Sequence, residues 1–148
     1  MSLFRLELSS STHIAASRER VWQVFADIRR WTEWCGVCLR ADVDEGFGWR
    51  VGERIRLRLR MARVGVPFDV GITEADPGNR VAWASAKLTV TAVRAISFES
   101  ASGGVAVTDH KLFTSPVLPI WTFYPRPIIR SMTESWLADL KRECERSG

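Results

Sequence analysis

Chemically reactive side chains are scarce in this chain: its 148 residues include three cysteines, two histidines and one tyrosine. An odd set of cysteines, Cys35, Cys38 and Cys144, excludes a disulfide framework of the kind that staples small secreted domains. A structural zinc site needs about four ligands, and beyond Cys35 and Cys38 only Cys144, His13 and His110 remain to supply them. Neither a metal nor an organic cofactor is implied. Long apolar runs are missing too: no stretch approaches the roughly 20 residues that span a bilayer, so no integral membrane segment is expected. The opening Met1-Ser2-Leu3-Phe4-Arg5 lacks the apolar segment of a signal peptide, and a cytoplasmic location is the resulting expectation. No repeat, low-complexity tract or linker interrupts the chain, so residues 1–148 are expected to form one domain.

What is present suits a packed interior. Hydrophobic residues make up 46% of the chain and seven of them are tryptophans, ample material for a domain of this length, which buries roughly 68–70% of its unfolded surface. The net charge is +4. A nucleic-acid partner would require that charge in a patch, and the one concentration is Arg54, Arg56, Arg58 and Arg60. These alternate with apolar residues along one strand, so they share its outer face, where Asp69, Asp42 and Asp44 can neutralise part of them. A solvated, ion-paired face is the reading taken here, with no nucleic-acid partner.

The hydrophobic period changes along the chain. Phe4 to Ala15 reads as a strand. Ser17 is a good N-cap for a helix from Arg18 carrying Val21, Val24, Phe25 and Ile28, and a second short helix ends near Trp34 after a kink at Asp27. From Cys38 the period becomes two: Leu39, Ala41 and Val43; then Ile55, Leu57, Leu59 and Met61; then Val66, Phe68, Val70 and Ile72. A tight turn at Val64-Gly65 would pair Leu59 with Val70, Leu57 with Ile72 and Met61 with Phe68, and set Arg60 opposite Asp69. Asp76-Pro77-Gly78-Asn79 has the residues of a type II turn that places Trp83 opposite Ile72. Strands at about Leu88–Ser100 and Val105–Ser115 follow. A long helix from about Pro127 then carries Ile128, Met132, Trp136, Leu140 and Cys144 on one face, behind an irregular apolar lead-in of Trp121, Phe123 and Tyr124. The fold class is α+β: a curved antiparallel sheet of about six to seven strands wrapped around the C-terminal helix, which is the only large amphipathic element available to cover it.

This element order, with Ala16-Ser17-Arg18-Glu19-Arg20-Val21-Trp22, Asp27 followed by Trp31 and Trp34, Val51-Gly52, Arg80-Val81-Ala82-Trp83 and Leu112-Phe113-Thr114-Ser115-Pro116, resembles the SRPBCC (START-like) superfamily over nearly the whole chain. It is closest in look to bacterial polyketide cyclase/dehydrase-like proteins. The resemblance implies a helix-grip fold with a cavity between sheet and C-terminal helix. It does not imply one activity, since members bind lipids, sterols, polyketides or hormones and some catalyse cyclisation or dehydration.

The expected cavity wall is Ile55, Leu57, Leu59, Met61, Phe68, Val70, Ile72, Trp83 and Met132, closed by Trp34, Trp121, Phe123, Tyr124 and Trp136; the alternative is that these side chains meet as a solid core. Asp109 and His110 are the candidates for acid or base work, and as neighbours on one strand only one can face inward. An inward set of Ile96, Phe98, Val107 and Phe113 selects Asp109; a one-residue slip selects His110. A buried Asp would have a raised pKa. His13 and Glu74 are weaker candidates. The Tyr124 hydroxyl could orient a ligand carbonyl, but the expected place of this side chain is the cavity rim with its polar tip in water. Cys35-Gly36-Val37-Cys38 has redox spacing but lies outside the βαβ context such a motif needs. Gly46-Phe47-Gly48-Trp49-Arg50-Val51-Gly52 has the look of a nucleotide loop, yet a strand rather than a helix follows it; Phe47 and Trp49 are expected to cover one mouth of the cavity, as a lid in the functional version. Three functions follow in order: binding of a small hydrophobic or aromatic molecule, cyclase/dehydrase-type catalysis through Asp109 or His110, and a protein-interaction module with a filled interior.

Overall fold

The computed structural model describes residues 3–146. Seven strands, β1 (Arg5–Ile14), β2 (Cys38–Val43), β3 (Arg54–Met61), β4 (Val64–Asp76), β5 (Arg80–Lys87), β6 (Val90–Ala101) and β7 (Gly104–Thr114), form one antiparallel sheet in the order β1-β7-β6-β5-β4-β3-β2. Between β1 and β2 lie α1 (Arg18–Ala26), a 3₁₀ turn at Ile28–Arg30 and α2 (Trp31–Trp34); α3 (Arg126–Glu145) ends the fold. The sheet curls around α3, the helix-grip arrangement. No helix among the described residues is long and apolar enough to cross a membrane.

Local chemistry explains most boundaries. The Ser17 hydroxyl accepts from the Arg20 amide at 3.1 Å and starts α1. At Asp76–Asn79 the Asn79 amide donates to the Asp76 carbonyl and Gly78 takes a positive φ of 85°, conformational space open to glycine at no steric cost. The expected Ile72–Trp83 pairing forms.

The β3–β4 hairpin departs from expectation. It turns at Ala62-Arg63, with Ala62 at φ 56° and Met61 paired with Val64. Leu57 therefore faces Phe68 and Ile55 faces Val70, while Leu59 faces Val66. Gly65 is not the turn residue; it sits inside the strand, where a Cβ would come within 2.8 Å of the Arg58 side chain. Asp69 consequently lies opposite Arg56 rather than Arg60, and it accepts from Arg54 at 2.8 Å. Because the partner moves by an even number of residues, every side chain keeps its face. On that outer face Arg56 also pairs with Asp44 at 3.1 Å.

A bulge between Ile72 and Glu74 changes the parity of β4. Glu74, which has inward parity but sits at a strand end where solvent is equally within reach, pairs with Arg80 at 3.0 Å, and Ala75 packs on the core. Towards the other end of these strands the ladder stops: β4 and β5 pair only from Gly71–Ala84 to Asp76–Arg80. Residues 64–70 of β4 and 85–87 of β5 splay apart.

The interior has two unequal halves. In one, Phe25 is ringed by Trp22, Trp31, Trp49, Trp83, Phe98 and Trp136, with centroids 5.1–6.3 Å away. The indole N–H groups of Trp31 and Trp49 donate to the carbonyls of Phe25 and Ala26, so neither buried donor is orphaned. Trp49 is thus part of the core, with Phe47 packed on its edge at 5.3 Å; the two do not cover a cavity mouth. In the other half Leu6, Leu8, Val90, Phe113, Ile120, Tyr124 and Ile129 form a second, smaller cluster.

An apolar cavity with a cationic corner

A cavity of about 80 Å³ lies between the sheet and α3, in the second half of the interior. Leu57, Leu59 and Met61 of β3, Phe68 and Val70 of β4 and Trp83 of β5 form one wall; Tyr124, Ile129 and Met132 close the other; Ala92 and Phe113 lie at the β6–β7 side. Ser85 and Ala92 are small, which leaves space where larger residues would fill it. Where β4 and β5 splay, Phe68 and Ser85 line both this cavity and an outer cleft of about 550 Å³.

One corner is charged. Arg94 of β6 and Lys111 of β7 reach the cavity, and behind them Asp109 is wholly buried. Nε and Nη2 of Arg94 donate to Oδ2 of Asp109 at 3.0 and 2.6 Å. Nζ of Lys111 donates to the same oxygen at 3.4 Å and also to the Thr133 hydroxyl of α3, which in turn donates to the Ile129 carbonyl at 2.8 Å. The guanidinium lies 4.6 Å from the Trp136 ring and 5.3 Å from that of Trp83, cation–π geometry. Oδ1 of Asp109 has no partner.

Burial alone would raise the pKa of Asp109, but the charges of Arg94 and Lys111, with their hydrogen bonds, outweigh it and hold the carboxyl below its usual range. The expected raised value is therefore corrected: desolvation acts, and two cations defeat it. Lys111 is pushed down to about 8, first by burial, then by repulsion from Arg94, with Asp109 opposing both. Burial raises Tyr124.

Leu57, Leu59, Phe68, Val70, Trp83, Tyr124 and Met132 meet at the cavity, while Ile72, Trp34 and Trp136 do not. Ile72 is buried in the aromatic half, and Trp34 packs edge-on against Trp136 at 5.4 Å. Tyr124 is only 5% exposed, so it is a wall residue rather than a wet rim. Trp121 and Phe123 are exposed, Trp121 by 64%, and do not close the cavity. Asp109 faces inward, as the Val107 and Phe113 parity selects; His110 points outward, with Nε2 2.6 Å from Glu7. His13 is a surface residue bonded to the Ser102 carbonyl. Cys35 and Cys38 are buried, and desolvation pushes their thiols up to about 11 and about 12, far from the thiolate a redox motif needs. Sequence reasoning missed Arg94, Lys111 and Thr133. The signal was there: once Asp109 is inward, Lys111 two residues on shares its face, and Arg94 shares that of Ile96 and Phe98.

The family described as polyketide cyclase / dehydrase and lipid transport matches residues 5–145. No curated protein matches the chain in sequence. Among solved structures, one domain of the di-domain ARO/CYC BexL superimposes with a TM-score of 0.81 at 12% identity, covering 99% of this chain and 52% of that one; the chain thus spans about half of BexL. The Zhui aromatase/cyclase from a Streptomyces species gives 0.79 at 14% identity over 96% and 94% of the two chains. Major latex-like protein 151 from Panax ginseng gives 0.80 at 11% identity over 96% and 99%. At such identities these likenesses establish the fold.

Proposed function

Because this chain belongs to the polyketide cyclase/dehydrase and lipid transport family, we propose that it holds a small, mostly apolar molecule between sheet and α3, with an oxygen-bearing end of the ligand turned to Arg94 and Lys111. One observation carries this reading: the cavity lining is apolar except for Ser85, Arg94, Lys111 and Tyr124. Apolar walls supply affinity by area, and a few placed polar groups fix orientation. Arg94 and Lys111 are two cations against one buried carboxylate, and an unbalanced buried charge is costly unless another group answers it. A ligand oxygen answers it. At about 80 Å³ the cavity is below the roughly 300–1,000 Å³ of ordinary ligand sites, so the ligand is small or enters only at one end. The splayed β4–β5 segment, where Phe68 and Ser85 line both the cavity and the outer cleft, is the entry route this reading assigns.

Isothermal titration with acetophenone, against ethylbenzene as the oxygen-free analogue of similar shape, tests this. The wild type is expected to bind acetophenone more tightly, and Ala92→Phe, which fills the cavity, is expected to bind neither while its far-UV circular dichroism is unchanged. Equal binding by the filled variant sinks the proposal.

A second reading, proton-transfer catalysis on a carbonyl compound, is favoured by the shifted amine of Lys111 beside Arg94. Arg94 would hold the carbonyl oxygen while Lys111 exchanges the adjacent proton. It requires deuterium uptake at the acetophenone methyl group to be faster with wild type than with Lys111→Met.

A further inference from the structure

We propose that Lys111 captures carbonyl compounds covalently: its Nζ adds to the carbonyl carbon of a small apolar aldehyde or ketone in the cavity and loses water to form an imine. This rests on the reading that the cavity admits such a molecule, and it names the ligand's chemical class.

Residue usage first singles out Lys111. The 21 basic residues are eighteen arginines and only three lysines, Lys87, Lys111 and Lys141. A guanidinium cannot lose its proton in a protein, whereas an amine can. The other two lysines are placed as surface cations, Lys87 5.9 Å from the Phe68 ring at the outer cleft and Lys141 paired with Glu145 at 2.6 Å. Lys111 alone faces an apolar cavity, its side chain 14% exposed.

The neighbours suit the chemistry. The charged groups around Nζ are Asp109 on its own strand and Arg94 on β6; α3 contributes the Thr133 hydroxyl, and Tyr124 lines the same cavity. Burial and Arg94 bring the amine to about 8, so a nucleophilic lone pair exists near neutral pH. In the addition the nitrogen lone pair forms the C–N bond while the C=O π pair moves to oxygen, and a proton passes from nitrogen to that oxygen. The nitrogen then expels the oxygen as water, which takes one more proton, and the second N–H proton of the former amine supplies it. Carbonyl plus amine gives imine plus water, with no oxidant or reductant. Arg94 is placed to hold the oxygen throughout. The neutral imine takes a proton from water, and the iminium so formed carries the same charge as the ammonium, so Asp109 pairs with it as well.

The test is reductive trapping of the full-length protein with benzaldehyde and cyanoborohydride at pH 8, read by peptide mass mapping. At that pH about half of Lys111 is unprotonated and its amine alone faces the cavity, so Lys111 is expected to label roughly tenfold or more faster than Lys87 and Lys141 in the same molecule. Lys111→Arg keeps the charge and is expected to lose the adduct; should it not fold, the internal comparison of lysines in the wild type stands alone. Calorimetry with benzyl alcohol, which has the same shape and no carbonyl, separates the two claims. Benzyl alcohol binding with no preference for Lys111 overturns the imine and leaves the binding site standing; neither binding nor labelling overturns both.

Discussion

Replacing Lys111 by methionine changes the pH dependence of stability in a direction few lysines would. The folded state holds this amine at about 8 against an ordinary value of 10.5, so between those limits the unfolded chain binds more protons than the native one. Stability then rises with pH across the window, and the contribution is lost as pH falls through about 8. At about 1.4 kcal/mol per unit, the whole window is worth about 3 kcal/mol. The cysteines act in the opposite sense. Burial lifts Cys35 to about 11 and Cys38 and Cys144 to about 12 from 9.0, so each stabilises below pH 9 and loses that contribution as pH climbs towards its folded value. Wild type and Lys111→Met share these thiols, and the difference between them isolates the lysine. Urea denaturation of both proteins at half-unit steps from pH 7 to 10.5 is the assay. The methionine variant is expected to match or exceed wild-type stability at pH 7, because Asp109 and Arg94 then balance one to one, and the wild type is expected to gain on it by about 3 kcal/mol as pH rises to 10.5. A flat difference, or one of opposite slope, refutes the view that Lys111 is a strained cation in the cavity wall.

Two further outcomes follow from other parts of the interior. Asp109→Asn leaves Arg94 and Lys111 buried with no counter-charge and is expected to cost about 3–5 kcal/mol in urea denaturation at pH 7; its acid unfolding, followed by circular dichroism, is expected to lose the limb that wild type shows as pH falls below the usual carboxylate range, since a depressed carboxyl stabilises only above its folded pKa. Phe25→Ala removes the ring that six others surround and is expected to cost about 3–5 kcal/mol and flatten the near-ultraviolet tryptophan signal; unchanged near-ultraviolet ellipticity would show that the aromatic half does not depend on this hub.

The strand period puts Leu57, Leu59, Phe68, Val70 and Trp83 on the inner face, where they line the cavity, even though the β3–β4 register differs from the expected one. An error of an even number of residues preserves facing, whereas the single-residue bulge after Ile72 was enough to turn Glu74 outward. The hairpin was misread because Gly65 has the composition of a turn residue but occupies a close approach to Arg58, while Ala62 accepts the left-handed conformation at the true tip. Trp49 was placed at a cavity mouth because a glycine-rich loop has no period to say which way an indole points. The helix stripe was right within one position: α3 turns Ile129 and Thr133 inward and leaves Ile128 and Met132 half-buried on its flank. Arg94 and Lys111 were passed over for a simpler reason. Charge on a strand is ordinarily assigned to the wet face, and only the three-way arrangement with Asp109, which depends on long-range register between β6 and β7, lets the two cations turn inward.

That arrangement also explains why the hollow lies where it does. The aromatic half closes on itself, ring against ring, around Phe25, and Trp83 and Trp136 present their faces to the guanidinium of Arg94 at its boundary. Beyond Arg94 two positions of the lining, Ser85 and Ala92, carry small side chains, and β4 pairs with β5 only from Gly71 onward. A solid packing there would have to bury the outer nitrogens of Arg94 and the amine of Lys111 against hydrocarbon, at the cost that leaves buried charges either paired or near water. The charged corner and the empty space are therefore one feature, since cations in excess of their carboxylate need room beside them for something with electron density.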